Sequence, residues 1–275
     1  MSMVDTGVAT LARELFDARA QRRPVATALS SREGGLDLST AYLVEAELTR
    51  MRRAEGHTTV GRKVGYANKA LWRALKLPTL VWASMYDDTV VYARDGHASL
   101  SIARMVAPRI EPEVVFKLRQ APRSEDAAGV LESVQWVALG FEFVDCPFPE
   151  WKFQPVDFVA CFGLHAALVV GEPRAIAPGD VHTLVEQLGA MKVRLSKNGA
   201  LAEEGYGKNA LRNPATCLGE LASAIAAQPS AEPLSADELV STGTLTTPQP
   251  VSAGERWDVH AEGIDLAPLE VTLNL

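Results

Sequence analysis

The stretch RIEPEVVF, Arg109 to Phe116, sets two glutamates one residue apart inside an otherwise apolar run. Residues i and i+2 of a strand point the same way, so Glu111, Glu113 and Val115 would share one face. Like charges held that close repel, and something positive is expected between them. Two readings stand at this point. One is a solvated edge strand, with Pro112 marking the edge. The other is a strand that offers paired carboxylates to a cation.

Outward from this run the chain keeps the same character. Short β-rich segments fall at Arg62–Tyr66, Thr89–Tyr92, Pro112–Leu118, Gln135–Val144, Val156–Val170 and Met191–Lys197. Val240–Ser241, Arg256–Ala261 and Leu269–Leu273 continue them. The start of the chain is different. Val8, Leu11, Leu15 and Ala18 recur at helical spacing before Pro24, and Leu43, Ala46, Leu48 and Met51 repeat the pattern. Ser39 or Thr40 would cap the second helix and Gly56 would end it. Later helices are few, the clearest being NPATCLGELASAIAAQP with Pro214 near its start. Runs of strands broken by a few helices predict an α+β fold rather than a doubly wound sheet. The expected organisation is a helical N-terminal segment, residues 1–57, and a mixed-β catalytic core, residues 58–275, joined as one continuous unit.

Composition narrows the function classes. The 275 residues are 47% hydrophobic and carry a net charge of −7, without a basic block or aromatic–basic interleaving, so nucleic acid is not an expected partner. Asp5, Arg13, Glu14 and Asp17 precede any long apolar run, which is not the pattern of a secretory signal. The longest apolar stretch, Phe158–Gly171, is too short to span a bilayer and reads as a buried strand. Cys146, Cys161 and Cys217 form no CxxC pair, which fits a reducing cytoplasm rather than a zinc ribbon or a disulfide framework. No phosphate-binding glycine loop and no serine-nucleophile motif occurs.

A third glutamate bears on the opening choice. QWVALGFEFVDC alternates as a strand and places Glu142 between Phe141 and Phe143. A lone buried carboxylate costs several kcal/mol unless it is paired or bound to a cation. Three glutamates without convergent His or Cys make an all-oxygen site, which suits Mg²⁺ or Mn²⁺. The alternative for Glu142 is a plain ion pair with Arg109 or Lys63.

Five motifs in order resemble the hydratase/decarboxylase branch of the fumarylacetoacetate hydrolase superfamily. They are VGRKVGYANKA (Val60–Ala70), PRIEPEVVFKL (Pro108–Leu118), ALGFEFVDCPF (Ala138–Phe148), LRNPATCLGELA (Leu211–Ala222) and TGTLTTPQPVSAGERWDVHAEGI (Thr242–Ile264). The resemblance covers roughly the whole chain. It implies a mixed-β core of rolled sheets preceded by N-terminal helices, and one Mg²⁺ or Mn²⁺ held by Glu111, Glu113 and Glu142. It places Lys63 in the active site as a catalytic group; Thr246 is expected at the substrate, and Arg109 either holds a substrate carboxylate by a bidentate contact or pairs with Glu142. The implied substrate is a small-molecule 2-oxo acid of aromatic-compound catabolism. The implied reaction is hydration of a 2-oxo-4-enoate or 2-hydroxydienoate through a metal-stabilised enolate. The alternatives are decarboxylation of a 4-oxalocrotonate-like 2-oxo-3-enedioate, and a non-catalytic metal-binding partner subunit. Assembly as a homo-oligomer follows from the same analogy.

Two departures stand out. Where the family usually reads ADN this chain reads ACF, so Cys161 and Phe162 replace an aspartate and an asparagine. Where it often reads LFADM this chain reads VWASM, with Ser84 at the acidic position. Neither Cys nor Ser serves as a carboxylate base near neutral pH. Ser84, Cys161 and Phe162 are nonetheless expected at the substrate pocket. His165, two strand steps from Cys161, is either a replacement proton-transfer group or a core histidine bonded to a backbone carbonyl.

Overall fold

The computed structural model describes residues 3–275; Met1 and Ser2 of the expected N-terminal segment lie outside it. The chain begins with helices α1 (Met3–Ala20) and α2 (Leu38–Ala54), then β1 (Thr59–Gly65), α3 (Lys69–Leu75), β2 (Val81–Tyr86), β3 (Val90–Tyr92), β4 (His97–Ser101) and β5 (Pro108–Leu118). Next come α4 (Ala127–Leu131), β6 (Val134–Asp145), α5 (Pro155–Ala160), β7 (His165–Val170), β8 (Arg174–Ala175), α6 (Val181–Ala190), β9 (Lys192–Lys197) and β10 (Ala200–Tyr206). The chain closes with α7 (Pro214–Ala226), β11 (Leu239–Ser241), β12 (Gln249–Pro250), β13 (Arg256–Glu262) and β14 (Leu269–Asn274).

Local signals explain several element ends. Asp37, not Ser39 or Thr40, caps α2, its carboxylate accepting from the Thr40 amide at 2.7 Å. Gly56 follows in the left-handed region, φ +94°, as a helix stop requires. Asn213 caps α7 ahead of Pro214, whose missing N–H costs nothing in the first turn.

The strands form two mixed sheets. The larger runs β2-β1-β11-β5-β6-β7-β3, with β12 also on β5 and β8 also on β6; the smaller runs β10-β9-β13-β14-β4. The larger sheet is rolled. Met85 on β2 shares one apolar cluster with Leu168 and Val170 on β7, five strands away in that order, which a flat sheet would forbid. The fold is therefore α+β with a rolled mixed sheet behind N-terminal helices. Among the described residues, no helix is long and apolar enough to cross a membrane.

β5 is not an edge strand. It is flanked by β6 on one side and by β11 and β12 on the other. Pro112 is tolerated because it lies between the rungs taken by β11 and those taken by β12, where its carbonyl accepts from the Leu245 amide at 2.9 Å.

The expected long strand over Val156–Val170 is corrected. Pro155 opens the short helix α5, and only His165–Val170 is strand. Between them Phe162, Gly163 and Leu164 all take left-handed backbone, with φ +54°, +58° and +55°. Two non-glycine residues in that region cost on the order of 1–2 kcal/mol each. Apolar content alone does not separate a buried strand from a buried helix and turn.

Candidate active site

One face of the rolled sheet points inward. On β5 it carries Arg109, Glu111, Glu113 and Val115, on β6 Ala138, Gly140 and Glu142, and on β1 Gly61 and Lys63. Register sets Glu111 directly opposite Glu142. Like charges in a directly opposed cross-strand pair destabilise a sheet unless something offsets them. One carboxylate oxygen each of Glu111, Glu113 and Glu142 lies within 4.8 Å of the others. Glu142 and Glu113 are 0% and 1% exposed.

Each carboxylate is held differently. The Ser241 hydroxyl and the Gly243 amide both donate to Glu113 Oε2, the amide at 2.9 Å. Glu142 Oε1 takes the Lys63 ammonium at 3.0 Å and His165 Nδ1 at 2.9 Å. Glu113 Oε1 and Glu142 Oε2 are buried with no hydrogen-bond partner. Two bare oxygens of one hard-donor set, facing a third carboxylate, fit a divalent cation.

Protonation follows from these surroundings. Burial pushes the Glu111 carboxyl up to about 7, the adjacent Glu142 adding to it and Lys63 opposing it. Glu113 is raised well above the usual carboxylate range by burial and by the Glu142 and Glu111 charges. Burial acts on Glu142 as well, but Lys63 and His165 outweigh it and leave that carboxyl below its ordinary value.

Lys63 is 1% exposed and donates a second bond to the Gly163 carbonyl at 2.9 Å, with its ammonium 4.6 Å from the Phe158 ring centre. The left-handed turn is what turns that carbonyl toward it. A side chain at Gly163 would meet Ala83 Cβ at 2.7 Å and Lys63 Cδ at 2.9 Å, so only glycine fits there.

Lys63, Arg109, Glu111, Leu164 and Thr246 line a cleft of about 660 Å³, walled also by Phe158, Trp151 and Phe153. The Arg109 guanidinium sits 4.0 Å over the Trp151 ring and pairs with no carboxylate among the described residues, so the ion pair considered for Glu142 forms with Lys63 instead.

Four expected residues are not brought to this cleft. Ser84 pairs across β2 and β1 with Arg62, the rung next to Lys63, so its side chain leaves on the opposite face and lies near Thr49 of α2. Cys161 and Phe162 border a separate cavity of about 500 Å³ beneath α1, where Arg19 stacks 4.7 Å over Phe162. Burial pushes the Cys161 thiol up to about 12, which leaves it inert. His165 is 1% exposed and stands behind Glu142, with Nε2 3.0 Å from the Thr89 hydroxyl. Burial lowers its pKa and keeps the ring neutral. Strand parity between Cys161 and His165 fails because the left-handed turn intervenes. Sequence reasoning missed Ser241, Gly243, Gly163 and Thr89. Only Gly243, inside the TGT motif, left a visible trace.

No family model matches the chain. It is 27% identical over 267 residues to a 2-hydroxyhexa-2,4-dienoate hydratase of Comamonas testosteroni, covering 96% of this chain and 97% of the relative. It is 29% identical over 225 residues to a 2-hydroxypent-2,4-dienoate hydratase of Pseudomonas putida (81% and 97%), and 27% identical over 233 residues to a 4-oxalocrotonate decarboxylase of a Pseudomonas strain (83% of each). Its fold matches that of the 4-oxalocrotonate decarboxylase of Pseudomonas putida G7, solved with magnesium and adipate, at a TM-score of 0.87 and 22% identity over 99% of both chains. A fumarylpyruvate hydrolase from Pseudomonas aeruginosa, solved with Mn²⁺ and pyruvate, shares the core at a TM-score of 0.53 and 16% identity, over 78% of this chain and 88% of that one. The motif order, the rolled sheet with its three inward glutamates, and full-length likeness to both kinds of enzyme make the chain similar to the hydratase/decarboxylase branch of the fumarylacetoacetate hydrolase superfamily.

Proposed function

We propose that this chain is a divalent-metal-dependent hydratase of a 2-hydroxydienoate or 2-oxo-4-enoate, with Glu111, Glu113 and Glu142 as the ligands of Mg²⁺ or Mn²⁺. The observation that carries the reading is the pair of buried, partnerless oxygens on Glu113 and Glu142, converging with Glu111, which itself lines the cleft. A cation bound there supplies Lewis-acid stabilisation of negative charge on the 2-oxygen of a chelating 2-oxo acid.

The chain's own residues do the rest. Lys63 spends two of its three N–H groups on Glu142 and Gly163, leaving one for an enolate oxygen or a proton transfer in the cleft it lines. Ser241 and Gly243 fix the Glu113 carboxylate. His165 fixes Glu142 from behind and is a positioning residue rather than a proton donor to substrate. Phe158, Trp151, Phe153 and Leu164 give the cleft apolar walls that shed water. Turnover of 2-hydroxypenta-2,4-dienoate, measured with chelator and then with restored Mg²⁺, tests the reading. A chain with no metal-dependent hydration of any 2-hydroxydienoate is not this enzyme.

One observation favours the second reading. Arg109 stands on the same face as Glu111, one strand step away, lines the same cleft, and meets no carboxylate among the described residues. It fits the distal carboxylate of a 2-oxo-3-enedioate. Release of CO₂ from such a diacid, without hydration of the monoacid, would make decarboxylation the activity.

A further inference from the structure

A second, larger groove of about 940 Å³ adjoins the cleft. Its lining includes Lys69, Arg73, Lys76, Lys208 and Arg212 and contains no carboxylate. All five cations are exposed, and none meets a carboxylate within 4.0 Å among the described residues. In a chain of net charge −7, whose surface cations elsewhere are often paired, five free cations in one concavity are a concentration of one sign. The two concavities share a wall. Ala67, Asn68, Asn209 and Leu211 separate them, tied by the Leu211 amide on the Ala67 carbonyl at 2.9 Å and by the Asn209 side chain on the Leu245 carbonyl at 2.8 Å. Ala67, Asn68 and Asn209 line both. Two of the cations sit on left-handed backbone, Lys76 at φ +55° and Arg212 at φ +69°. Lys76 does so as the C-cap of α3, its amide donating to the Trp72 carbonyl.

We propose that this groove is an electrostatic entrance that gathers the anionic 2-oxo acid and passes it over the Ala67–Asn68 wall into the cleft. The inference rests on the function proposed above and adds to it the route and the means of substrate capture. An anion approaching a net-negative chain is repelled at long range. A concave patch of one sign reverses this locally, and such patches raise association rates by roughly 10–10³. The groove's cations are all exposed to solvent, and it lies outside the glutamate cluster. It therefore acts on arrival rather than on the strength of the final complex.

The test is stopped-flow association of oxalate, a small 2-oxo acid analogue, with the Mg²⁺-loaded protein, read by tryptophan fluorescence. Trp72 borders the groove and Trp151 the cleft. The unmodified protein should lose association rate steeply between about 10 mM and about 150 mM salt, as the screening length falls from ~30 Å to ~8 Å. Arg73→Glu with Lys76→Glu, both exposed and outside the metal site, should lower the low-salt rate about 10-fold and flatten the salt dependence. The dissociation rate and kcat should be unchanged. Arg73→Gln with Lys76→Gln should fall between the two. A charge-reversed variant with the rate and salt slope of the parent would overturn the proposal. So would a change in sedimenting mass without a change in association rate, which would make the groove a contact between copies. Absence of metal-dependent oxalate binding in the unmodified protein would overturn the proposed function and this inference together.

Discussion

The inner face of the large sheet has two ends built on the same strands. At one end β5 presents Glu111 and Glu113, β6 presents Glu142 and β1 presents Lys63. At the other, Val115, Ala138, Leu168, Val170, Met85 and Leu239 close into a dry cluster. A single step of two residues, from Glu113 to Val115 or from Glu142 to Gly140, crosses from one regime to the other. The backbone is the same in both, so strand geometry does not make the site. What differs is satisfaction. The apolar end is packed so closely that a side chain at Gly140 would meet Val115 Cγ2 at 2.5 Å. The acidic end leaves oxygens without partners. A sheet tolerates that defect where a ligand is to complete it.

The sharpest way to break the comparison is at Glu113. Glu113→Gln removes one of the bare oxygens, and both Mg²⁺ affinity and turnover should fall by more than the ~10–100-fold typical of losing an outer partner. Calorimetric titration of Mg²⁺ checks the first and the hydratase assay the second. Affinity equal to the parent's would move the cation elsewhere.

Lys63 comes next. Lys63→Met keeps the length of the side chain and removes the charge, and kcat should drop by about 10²–10⁴. Mg²⁺ should still bind, because the three carboxylates remain. An unchanged kcat would return Lys63 to structural ion pairing with Glu142.

At the apolar end the expectation reverses. Leu168→Ala should cost about 2–5 kcal/mol of stability through the cavity it leaves, with Mg²⁺ affinity intact. Denaturant unfolding measures the first and titration the second. A metal affinity that fell with stability would show that the two ends are one mechanical unit.

The smallest effect is the pH dependence of the metal-free chain. Glu111 holds its proton up to about 7 when folded, against an ordinary value of 4.5. The folded state therefore binds more protons than the unfolded state between those values, and stability falls as pH rises across them. With chelator present, the melting temperature should decline from about pH 5 to about pH 7, and Glu111→Gln should make the decline shallower, the raised Glu113 carrying the remainder. Saturating Mg²⁺ should reverse the trend, since a cation takes ionised carboxylates. A rising melting temperature in chelator would mean that Glu111 is ionised throughout.

Much of this was legible in the sequence, for identifiable reasons. Period-two alternation put Glu111 and Glu113 on one face, and the apolar neighbours of Glu142 marked it as buried. What alternation cannot report is which strands roll together, so it left Arg109 and Lys63 both open as the partner of Glu142, and the fold chose Lys63. Ser84 looked like a pocket residue through its motif, yet one residue of register sends it to the far side of the sheet. Cys161 to Leu164 misled for another reason. Two apolar residues on left-handed backbone carry no local signal, because tertiary contacts hold them there against their own preference. Ser241 was invisible because a serine at a strand end looks the same whether or not a carboxylate waits across the sheet.

Glu111, Glu113 and Glu142 all stand on the single β5–β6 ladder, in the middle of the sheet and closed on both sides. Proteins open in cooperative units, the exposed segments often and the central strands only near global unfolding. The exposed start of α3, where Asn68 and Leu71 border the cleft, belongs to the first kind. The carboxylate rungs belong to the second. On the proposed function, substrate passage and cation retention would therefore run on separate clocks, one set by an exposed helix end and the other by the central strands.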